Sequence, residues 1–379
     1  MKAIIIGGGI AGLSTAIALE KVGIEAEVFE AAPEIREVGA GIWMAPNAMQ
    51  ILNYLGVADV VMKVGNLIGQ TNLTDQGLRL LSGMDLEKYL DAFGFTITAI
   101  HRGRLQSALL NGLRPDRVHP GKRFVRFEEG GNRVEAFFED GSSAVGDILL
   151  AADGIHSAVR GQLFPQSQLR YSGQTCWRGI AKMSLPKGMQ DQSYECWGNG
   201  RLRLGFSAIS QEEVYWYAVA MAPEGERDEP GTGKAKLQRL FAGFASPMPE
   251  MLAATRADKV LRGDLSDLSR IERWYSGRVL LLGDAGHATT PNLGQGACQA
   301  VEDAWYISQA LMDQPEVEAA FAAFEKHRRP RVDFVVNTSW RMGKVAHFPF
   351  ARGLRNWLLK MAPQSTAKKM VSKLYSVSG

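Results

Sequence analysis

The chain has 379 residues and a formal net charge of +3, from 43 Lys and Arg against 40 Asp and Glu. Its 46% hydrophobic and 22% charged residues are typical of a globular protein and exclude a disordered chain, a collagen or a disulfide scaffold. Because one core seldom organises a chain this long, we predict two or three packed lobes. The three cysteines form neither a CxxC pair nor a zinc-ligand pattern, which predicts a reducing compartment and no metal site.

The net charge hides a basic C-terminal region. Residues 325–379 contain twelve Lys or Arg and two acidic residues, so the rest of the chain is acidic overall. A basic tail suits nucleic acid, anionic lipid or an acidic partner, but the acidic remainder argues against a general nucleic-acid binder. The N-terminus lacks signal-peptide features and no uncharged stretch approaches about 20 residues, so we predict a cytoplasmic protein without stable membrane insertion.

The first thirty residues predict a βαβ unit. A β-branched run at 3–6 gives a strand, helical apolar spacing follows over 13–22, and 26–30 gives a second strand. The turn between the first strand and the helix is glycine-rich.

That turn satisfies GxGxxG through Gly7, Gly9 and Gly12, the pattern that lets backbone N–H groups approach a pyrophosphate. Glu30 ends the second strand, where a carboxylate can bind ribose hydroxyls. The unit therefore predicts a dinucleotide site without separating FAD from NAD. A glycine-rich turn that binds nothing is the alternative.

The rest of the chain also divides into recognisable elements. In order, we predict helices near 49–55 and 104–113, a small antiparallel meander between 118 and 150, and a fully apolar strand at 148–152 that returns to the parallel sheet. A second sheet follows, including strands 202–206 and 214–218, and then a helix over 234–244, a strand at 278–282, a helix over 296–311 and a helical C-terminus.

Two of these strands end in an Asp-Gly or Gly-Asp turn, at Asp153-Gly154 and Gly283-Asp284. With the N-terminal glycines, these motifs give the chain a resemblance, over roughly residues 1–329, to the class A single-component flavin monooxygenases. These are aromatic hydroxylases of the p-hydroxybenzoate hydroxylase fold. The short length and the segment 175–179 look closest to compact urate- and hydroxynicotinate-hydroxylase-like or epoxidase-like members.

The resemblance implies an α/β fold, with a Rossmann-like FAD-binding βαβ domain, a second, mostly antiparallel sheet domain of α+β type, and a helical C-terminus. The implied segments are 1–70, 101–170 and 271–325 for FAD binding, 71–100 as a substrate-lobe insertion, 171–270 as the substrate-binding sheet domain and 326–379 as a basic helical tail.

FAD is the cofactor that the resemblance implies. The residues implied to bind it are Gly7, Gly9, Ala11, Gly12, Glu30, Arg36, Arg102, Asp153, Asp284, Gly294, Gln295 and Gly296. Loop 291–296 would run along the isoalloxazine, and the helix that follows would stabilise the anionic reduced flavin with its positive end.

Several of these residues have a second interpretation. Asp153 and Asp284 could simply cap the helices that follow them, because Asp at a strand-to-helix turn is a good N-cap. Arg36 could contact the cofactor or be a solvated loop charge. His287, near Asp284, could be a general base or part of a structural turn.

The second sheet is predicted to supply the substrate pocket. Pocket candidates are Trp43, Cys176, Arg178, Trp197, Arg201, Phe206 and Tyr215, and the catalytic candidates are Arg203, Tyr217 and Pro291. Alternation predicts that Arg201 and Arg203 share one face and that Tyr215 and Tyr217 share another, without deciding which face is inward. Plain sheet packing is the alternative for each, and an arginine would suit an anionic phenolate, carboxylate or urate-like substrate.

The resemblance implies an activity as well. NADH or NADPH would reduce FAD, O2 would form a flavin C4a-hydroperoxide, and one oxygen atom would pass to an electron-rich aromatic or N-heteroaromatic substrate. The alternatives are an FAD-dependent reductase or epoxidase acting on an isoprenoid or natural product, and a non-catalytic binding protein on the same fold. Both a monomer and a homodimer are compatible with the sequence.

An amphipathic helix is predicted in the basic tail. Leu354, Trp357, Leu358 and Met361 recur at helical spacing. We expect this apolar stripe to pack against the flavin lobe, with peripheral membrane contact as the alternative.

Overall fold

The computed structural model describes residues 1–35, 39–229, 231–347, 352–361 and 364–377. The strands are β1 (Lys2–Ile6), β2 (Glu25–Glu30), β3 (Gly41–Met44), β4 (Asn66–Ile68), β5 (Gln70–Asp75), β6 (Leu80–Asp85), β7 (Ile97–His101), β8 (Val118–Pro120), β9 (Phe124–Gly130), β10 (Arg133–Phe138), β11 (Ser143–Gly146), β12 (Ile148–Ala151), β13 (Leu169–Lys182), β14 (Gln192–Trp197), β15 (Arg203–Ala208), β16 (Glu213–Met221), β17 (Leu261–Leu268), β18 (Tyr275–Ser276) and β19 (Val279–Leu281). The α-helices are α1 (Ile10–Lys21), α2 (Pro46–Leu55), α3 (Ala58–Val64), α4 (Leu90–Phe93), α5 (Arg102–Leu110), α6 (Ala158–Leu163), α7 (Gly233–Leu240), α8 (Met248–Ala254), α9 (Asp284–His287), α10 (Gly296–Asp313), α11 (Val317–Ala346), α12 (Arg352–Met361) and α13 (Gln364–Tyr375).

The first lobe is built on a six-stranded sheet in the order β18-β19-β12-β1-β2-β8, which is parallel except for the β18–β19 pair. Side chains of β1 alternate between two cores: Ile5 points to the layer of α1 and α10, whereas Ile4 and Ile6 point to the small sheet β9–β11. Burial on both faces explains the unbroken apolar run in this strand.

The second lobe is a seven-stranded sheet in the order β17-β13-β16-β15-β14-β5-β6, antiparallel except between β14 and β5. One face packs against α7 and α8 through an apolar core. On the other face, Tyr215 belongs to the core of the first lobe, so this face lies against that lobe. The two lobes confirm the predicted α/β class with a second, mostly antiparallel sheet.

Three long or amphipathic helices complete the chain. The thirty-residue α11 packs along α10, α12 lies beside β6, and α13 packs against α2. In the part of the chain that the structure describes, no helix is both long and apolar enough to span a bilayer.

Candidate functional site

Four predicted motifs meet at one edge of the first sheet. The parallel strands β19, β12, β1 and β2 are neighbours, and their carboxyl ends lead into Asp284, Asp153, Gly7 and Glu30 respectively. Ligands of open α/β sheets bind outside the carboxyl ends of the strands. The topology therefore brings together residues that lie far apart in the sequence.

Each glycine of the GxGxxG turn is glycine for a different physical reason. Gly7 has a φ of +106°, and a Cβ there would lie 2.4 Å from the Ala152 carbonyl oxygen. A Cβ at Gly12 would lie 1.9 Å from the Gly7 carbonyl oxygen, so these two glycines let strand, turn and helix pack. A Cβ at Gly9 would meet nothing within 4 Å. The N-terminus of α1 thus faces open space, as a pyrophosphate site requires.

Glu30 is oriented by backbone donors. Its carboxylate accepts the N–H of Gly8 at 2.6 Å and the N–H of Ala32 at 2.8 Å. The Gln106 amide of α5 donates to the Gly8 carbonyl at 2.6 Å and braces the turn. Glu30 is therefore fixed beside the glycine turn, where its contact with ribose stays a prediction.

Asp153 both caps a helix and retains an unpartnered oxygen. Its Oδ2 accepts the N–H groups of Ala158 and Val159 at 2.8 and 3.2 Å, at the start of α6. Its Oδ1 is buried and has no hydrogen-bond partner among the described residues. Burial raises the pKa of this carboxyl. Asp153 therefore assists the N-cap residue Ser157 in satisfying the first turn of α6, and its Oδ1 stays unpartnered in the described part of the chain.

Asp284 is the first residue of α9, and the N-cap residue of that helix is Gly283, whose φ is +54°. The Asp284 side chain reaches the open edge while protein surrounds it on the other sides, and this desolvation raises its pKa. His287, Arg102 and Arg160 oppose the rise. The arrangement places a carboxyl and the predicted Arg102 at the same edge of the sheet.

His287 belongs to a buried structural network. Its Nε2 lies 2.6 Å from Asp303 Oδ2, which also accepts the Gly283 N–H at 2.9 Å. Arg328 donates to Asp303 Oδ1 at 2.8 Å. Burial alone would raise the pKa of Asp303, but His287 and Arg328 lower it. These contacts support the structural interpretation of His287.

The predicted flavin loop ends at a helix without a side-chain cap. Residues 291–293 form a 3₁₀ turn, Gly294 has a φ of +63°, and Gln295 is the N-cap residue of the eighteen-residue α10. The Gln295 side chain accepts instead from Asn47, at 3.0 Å. The first N–H groups and the positive end of α10, which begins at Gly296, are therefore available to an anionic group.

The register of the second sheet settles which face is inward. Residues that share the face directed at the first lobe, here called the pocket face, include Cys176, Arg178, Ile180, Glu195, Trp197, Arg203, Ser207, Tyr215, Tyr217 and Val219. The opposite face, here called the packed face, includes Trp177, Cys196, Leu204, Phe206, Trp216 and Ala218. The predicted sharing of one face by Tyr215 and Tyr217 agrees with this register.

Two predicted pocket residues are misplaced. The prediction that Phe206 lines the pocket is wrong. Its ring lies fully buried on the packed face and stacks on Tyr194, with ring centroids 4.9 Å apart. The expectation that Arg201 shares a face with Arg203 is wrong because β15 begins only at Arg203. Arg201 lies in the preceding turn, exposed and with a φ of +61°. Arg36 lies outside the described residues.

A buried polar cluster occupies the centre of the pocket face. Arg203 donates to Glu195 at 2.6 Å and to Asn292 of the predicted flavin loop at 2.6 Å. Trp197 donates to the same Glu195 oxygen at 3.0 Å, and the Tyr217 hydroxyl donates to the other oxygen. Burial, and then Glu195, raises the Tyr217 pKa far above its ordinary value. The cluster joins the second sheet to the loop before α10.

Sequence reasoning missed Glu195 and Asn292. Asn292 lies inside the predicted flavin loop, but no role of its own was predicted for it. Only the strand pairing shows that Glu195 lies on the same face as Arg203 and Tyr217. One signal was available, since Gly205 interrupts an otherwise bulky strand. A Cβ there would lie 2.2 Å from the Tyr217 ring, so Gly205 lets that ring cross the strand and reach Glu195.

Trp43 and Arg178 flank the cluster. Trp43 donates to Ser207 at 2.9 Å, and a Cβ on Gly294 would lie 3.8 Å from its ring. Arg178 forms no ion pair with an Asp or Glu of the described residues. The neighbouring Cys176 raises the pKa of Arg178 despite its burial. Among the described residues, Arg178 is therefore a cation of the pocket face that no carboxylate neutralises.

This fold and edge define a FAD-binding flavoprotein. The sequence profile of the FAD binding domain family matches residues 1–339. The chain is 39% identical over 365 residues to the aurachin C monooxygenase/isomerase of Stigmatella aurantiaca, covering 95% of this chain and 94% of that one. It is 33% identical to the 2-heptyl-3-hydroxy-4(1H)-quinolone synthase of Pseudomonas aeruginosa, covering 100% and 99%.

A solved structure is similar as well. The Klebsiella pneumoniae HpxO complexed with FAD and uric acid superposes with a TM-score of 0.90 at 32% identity, covering 99% of this chain and 96% of that one. The chain belongs to the FAD binding domain family, within the class A flavin monooxygenases, and the predicted resemblance is confirmed. FAD as cofactor and the flavin-dependent monooxygenase class are confirmed with it.

Proposed function

We propose that this enzyme uses NADH or NADPH as reductant and O2 as oxidant to hydroxylate a planar N-heteroaromatic ring bound on the pocket face. The observation that carries the proposal is the Glu195–Arg203–Asn292 chain, which links that face to the predicted flavin loop. Among similar proteins, HpxO binds uric acid and another is named for a 4(1H)-quinolone. Both are nitrogen heterocycles that carry an exocyclic carbonyl oxygen.

The residues at the carboxyl edge fit FAD. Open space above Gly9 suits a pyrophosphate, the unpartnered Oδ1 of Asp153 suits a donor, and the uncapped start of α10 suits an anionic isoalloxazine. When bound, FAD supplies hydride acceptance and oxygen activation. Pro291 and Gly294 shape the loop that would hold the ring, and the predicted division of the chain into FAD-binding and substrate segments is part of this proposal.

Tyr217 orients and activates the ring. Its proton is committed to Glu195, so its oxygen offers a lone pair to a ring N–H. A ring N–H that donates to Tyr217, which in turn donates to a carboxylate, gains electron density as its proton is drawn away. An electron-rich ring carbon is what an electrophilic oxygen attacks.

Arg178 binds the exocyclic oxygen of the substrate. Arg203 is neutralised by Glu195, whereas Arg178 on the same face has no such partner among the described residues. A carbonyl or enolate oxygen of the substrate would supply an oxygen acceptor through a charge-assisted hydrogen bond. Arg203 therefore holds the polar cluster together, and Arg178 binds the substrate.

The apolar surroundings favour a 4(1H)-quinolone with an apolar substituent over urate. Trp43 packs edge-on against Tyr217 with ring centroids 6.1 Å apart, and Val219 and Cys176 form an apolar cluster beside them. Such surfaces gain free energy by covering an alkyl chain, which urate lacks. The cytoplasmic location and the choice between monomer and homodimer stay predictions.

Purified protein with bound flavin tests the proposal. NADH or NADPH oxidation is followed under air with 2-heptyl-4(1H)-quinolone, with urate and without substrate. We expect the quinolone to stimulate nucleotide oxidation and to yield a hydroxylated product by mass spectrometry. If only urate stimulates nucleotide oxidation, the substrate is a purine and the quinolone proposal is wrong. Reduction of a substrate without oxygen incorporation would overturn the monooxygenase assignment.

A further inference from the structure

The apolar stripe of α12 faces away from the protein. Leu354, Trp357, Leu358 and Met361 are 57%, 57%, 55% and 64% exposed. The opposite side of the helix, through Leu359 and its neighbours, is the half-buried side. The expectation that this stripe packs against the flavin lobe is therefore wrong. An isolated exposed apolar residue is ordinary, but four in one stripe mark an interaction surface.

The C-terminal segment that carries the stripe has charge of one sign. No Asp or Glu follows Asp333 in the sequence, whereas eight Lys or Arg do. Lys360 at the end of α12 and Lys368 and Lys369 on α13 are exposed. A surface with an apolar strip and cations that no carboxylate of the same segment offsets complements an anionic surface with an apolar interior.

The helix is anchored beside the pocket face. The Arg355 guanidinium lies 4.7 Å from the centre of the Trp197 ring, and Trp197 donates to Glu195. Arg355 also donates to the Ala346 carbonyl at 2.9 Å, which ties α12 to the end of α11. Whatever binds the stripe is therefore held close to the edge of the substrate-binding sheet.

We propose that α12 docks this protein peripherally on an anionic lipid bilayer, with its apolar stripe in the interfacial layer. Ten residues of helix extend only about 15 Å, which is half of what a membrane span needs. Tryptophan is favoured at the lipid interface, and Trp357 lies at the centre of the stripe. Docking goes beyond the proposed reaction and does not depend on it.

A second copy of the chain is less suited than an anionic bilayer to cover the apolar stripe of α12. A two-fold interface centred on the stripe would place the same cations of both copies opposite one another. Like charges that face each other at an interface are repulsive. Anionic headgroups meet the same cations with the opposite sign.

Co-sedimentation of the full-length, FAD-loaded protein with vesicles tests the proposal without any substrate. The vesicles are pure phosphatidylcholine or phosphatidylcholine with one third phosphatidylserine. We expect partitioning onto the phosphatidylserine vesicles at least tenfold stronger than onto the neutral ones, weakening as salt screens the cations. The double variant Leu354→Ser, Leu358→Ser should lose at least tenfold in partitioning while keeping its flavin content and melting temperature.

The matched control is the double variant Leu67→Ser, Leu261→Ser, which removes two leucines exposed to a similar extent on β4 and β17. This variant should bind vesicles like the unmodified protein. The proposal is overturned if the unmodified protein stays in the supernatant, or if the stripe variant partitions equally well. A dimer that the stripe variant dissolves, with no vesicle binding, would also overturn it and assign the stripe to self-association. None of these outcomes bears on hydroxylation, so the two proposals fail separately.

Discussion

The two faces of the second sheet are built from the same strands and do different work. The packed face is an apolar core in which Phe206 and Trp216 are fully buried, and the single Trp216 N–H is satisfied by Thr255 at 2.8 Å. The pocket face buries charge and hydroxyl groups around Glu195. Since adjacent residues alternate between the faces, one strand serves both stability and chemistry. Substitutions one residue apart should therefore have unlike consequences.

The largest expected effect is on the packed face. Phe206→Ala removes a fully buried ring and should lower the free energy of unfolding by about 3–5 kcal/mol, since a cavity remains. The protein that remains folded should keep its KM and flavin content. Denaturant unfolding and steady-state kinetics measure the two quantities, and Phe206→Leu should recover most of the stability. A changed KM with unchanged stability would place Phe206 in the pocket.

Acid should destabilise the pocket side through His347. This residue is buried beside Arg203, and desolvation, followed by Arg203, lowers its pKa to about 4. Because the folded pKa is depressed, the neutral imidazole contributes stability above about pH 6.5, and this contribution is lost as the pH falls through about 4.

The loss should reach roughly 3 kcal/mol. Melting temperatures measured from pH 7 to pH 4 should fall more steeply for the unmodified protein than for His347→Gln, which carries no titrating group there. Parallel profiles for the two proteins would contradict a buried neutral His347.

Arg203→Ala should lower kcat/KM by about 100-fold, or about 2.7 kcal/mol, because Glu195 loses its cation and the link to Asn292 is broken. Flavin content should change little. Arg201→Ala, two residues earlier in an exposed turn, is the matched control and should retain turnover. Unchanged turnover in Arg203→Ala would remove Arg203 from the pocket.

The smallest effect expected lies at the first sheet. Gly9→Ala adds a methyl group in the open space where the pyrophosphate is predicted, and should weaken FAD binding about tenfold. Gly130→Ala, also with nothing within 4 Å of its Cβ but on β9, should leave FAD binding unchanged. Flavin retention during gel filtration compares the two, and full retention by Gly9→Ala would move the pyrophosphate elsewhere.

Local sequence patterns predicted the first lobe well because its motifs sit at strand ends that parallel topology brings together. The spacing that runs from Gly7 to Gly12 and the loop before Gly296 each meet a steric or electrostatic requirement. That requirement can be recognised from the local sequence, without knowing which residues pack against it in the fold. The pocket face could not be read in this way. Glu195 acquires partners only through strand pairing, and Phe206 resembles a pocket aromatic until the register assigns it to the other face.

The amphipathic tail shows a different limit. The spacing of Trp357 and Leu358 predicted the helix and its apolar stripe correctly. Periodicity identifies a stripe but not what covers it, because an apolar face suits a protein core and a lipid interface equally. The three-dimensional placement of α12 was needed to show that this stripe is exposed.

Product analysis under 18O2, with the FAD-loaded enzyme, NADH or NADPH, and 2-heptyl-4(1H)-quinolone, tests directly whether this enzyme transfers oxygen to an N-heteroaromatic ring. We expect one 18O atom in the hydroxylated product, with label absent when 18O is supplied only as water. A product formed without label from O2, or nucleotide oxidation that forms only peroxide with every ring in a panel of N-heteroaromatics, would contradict it.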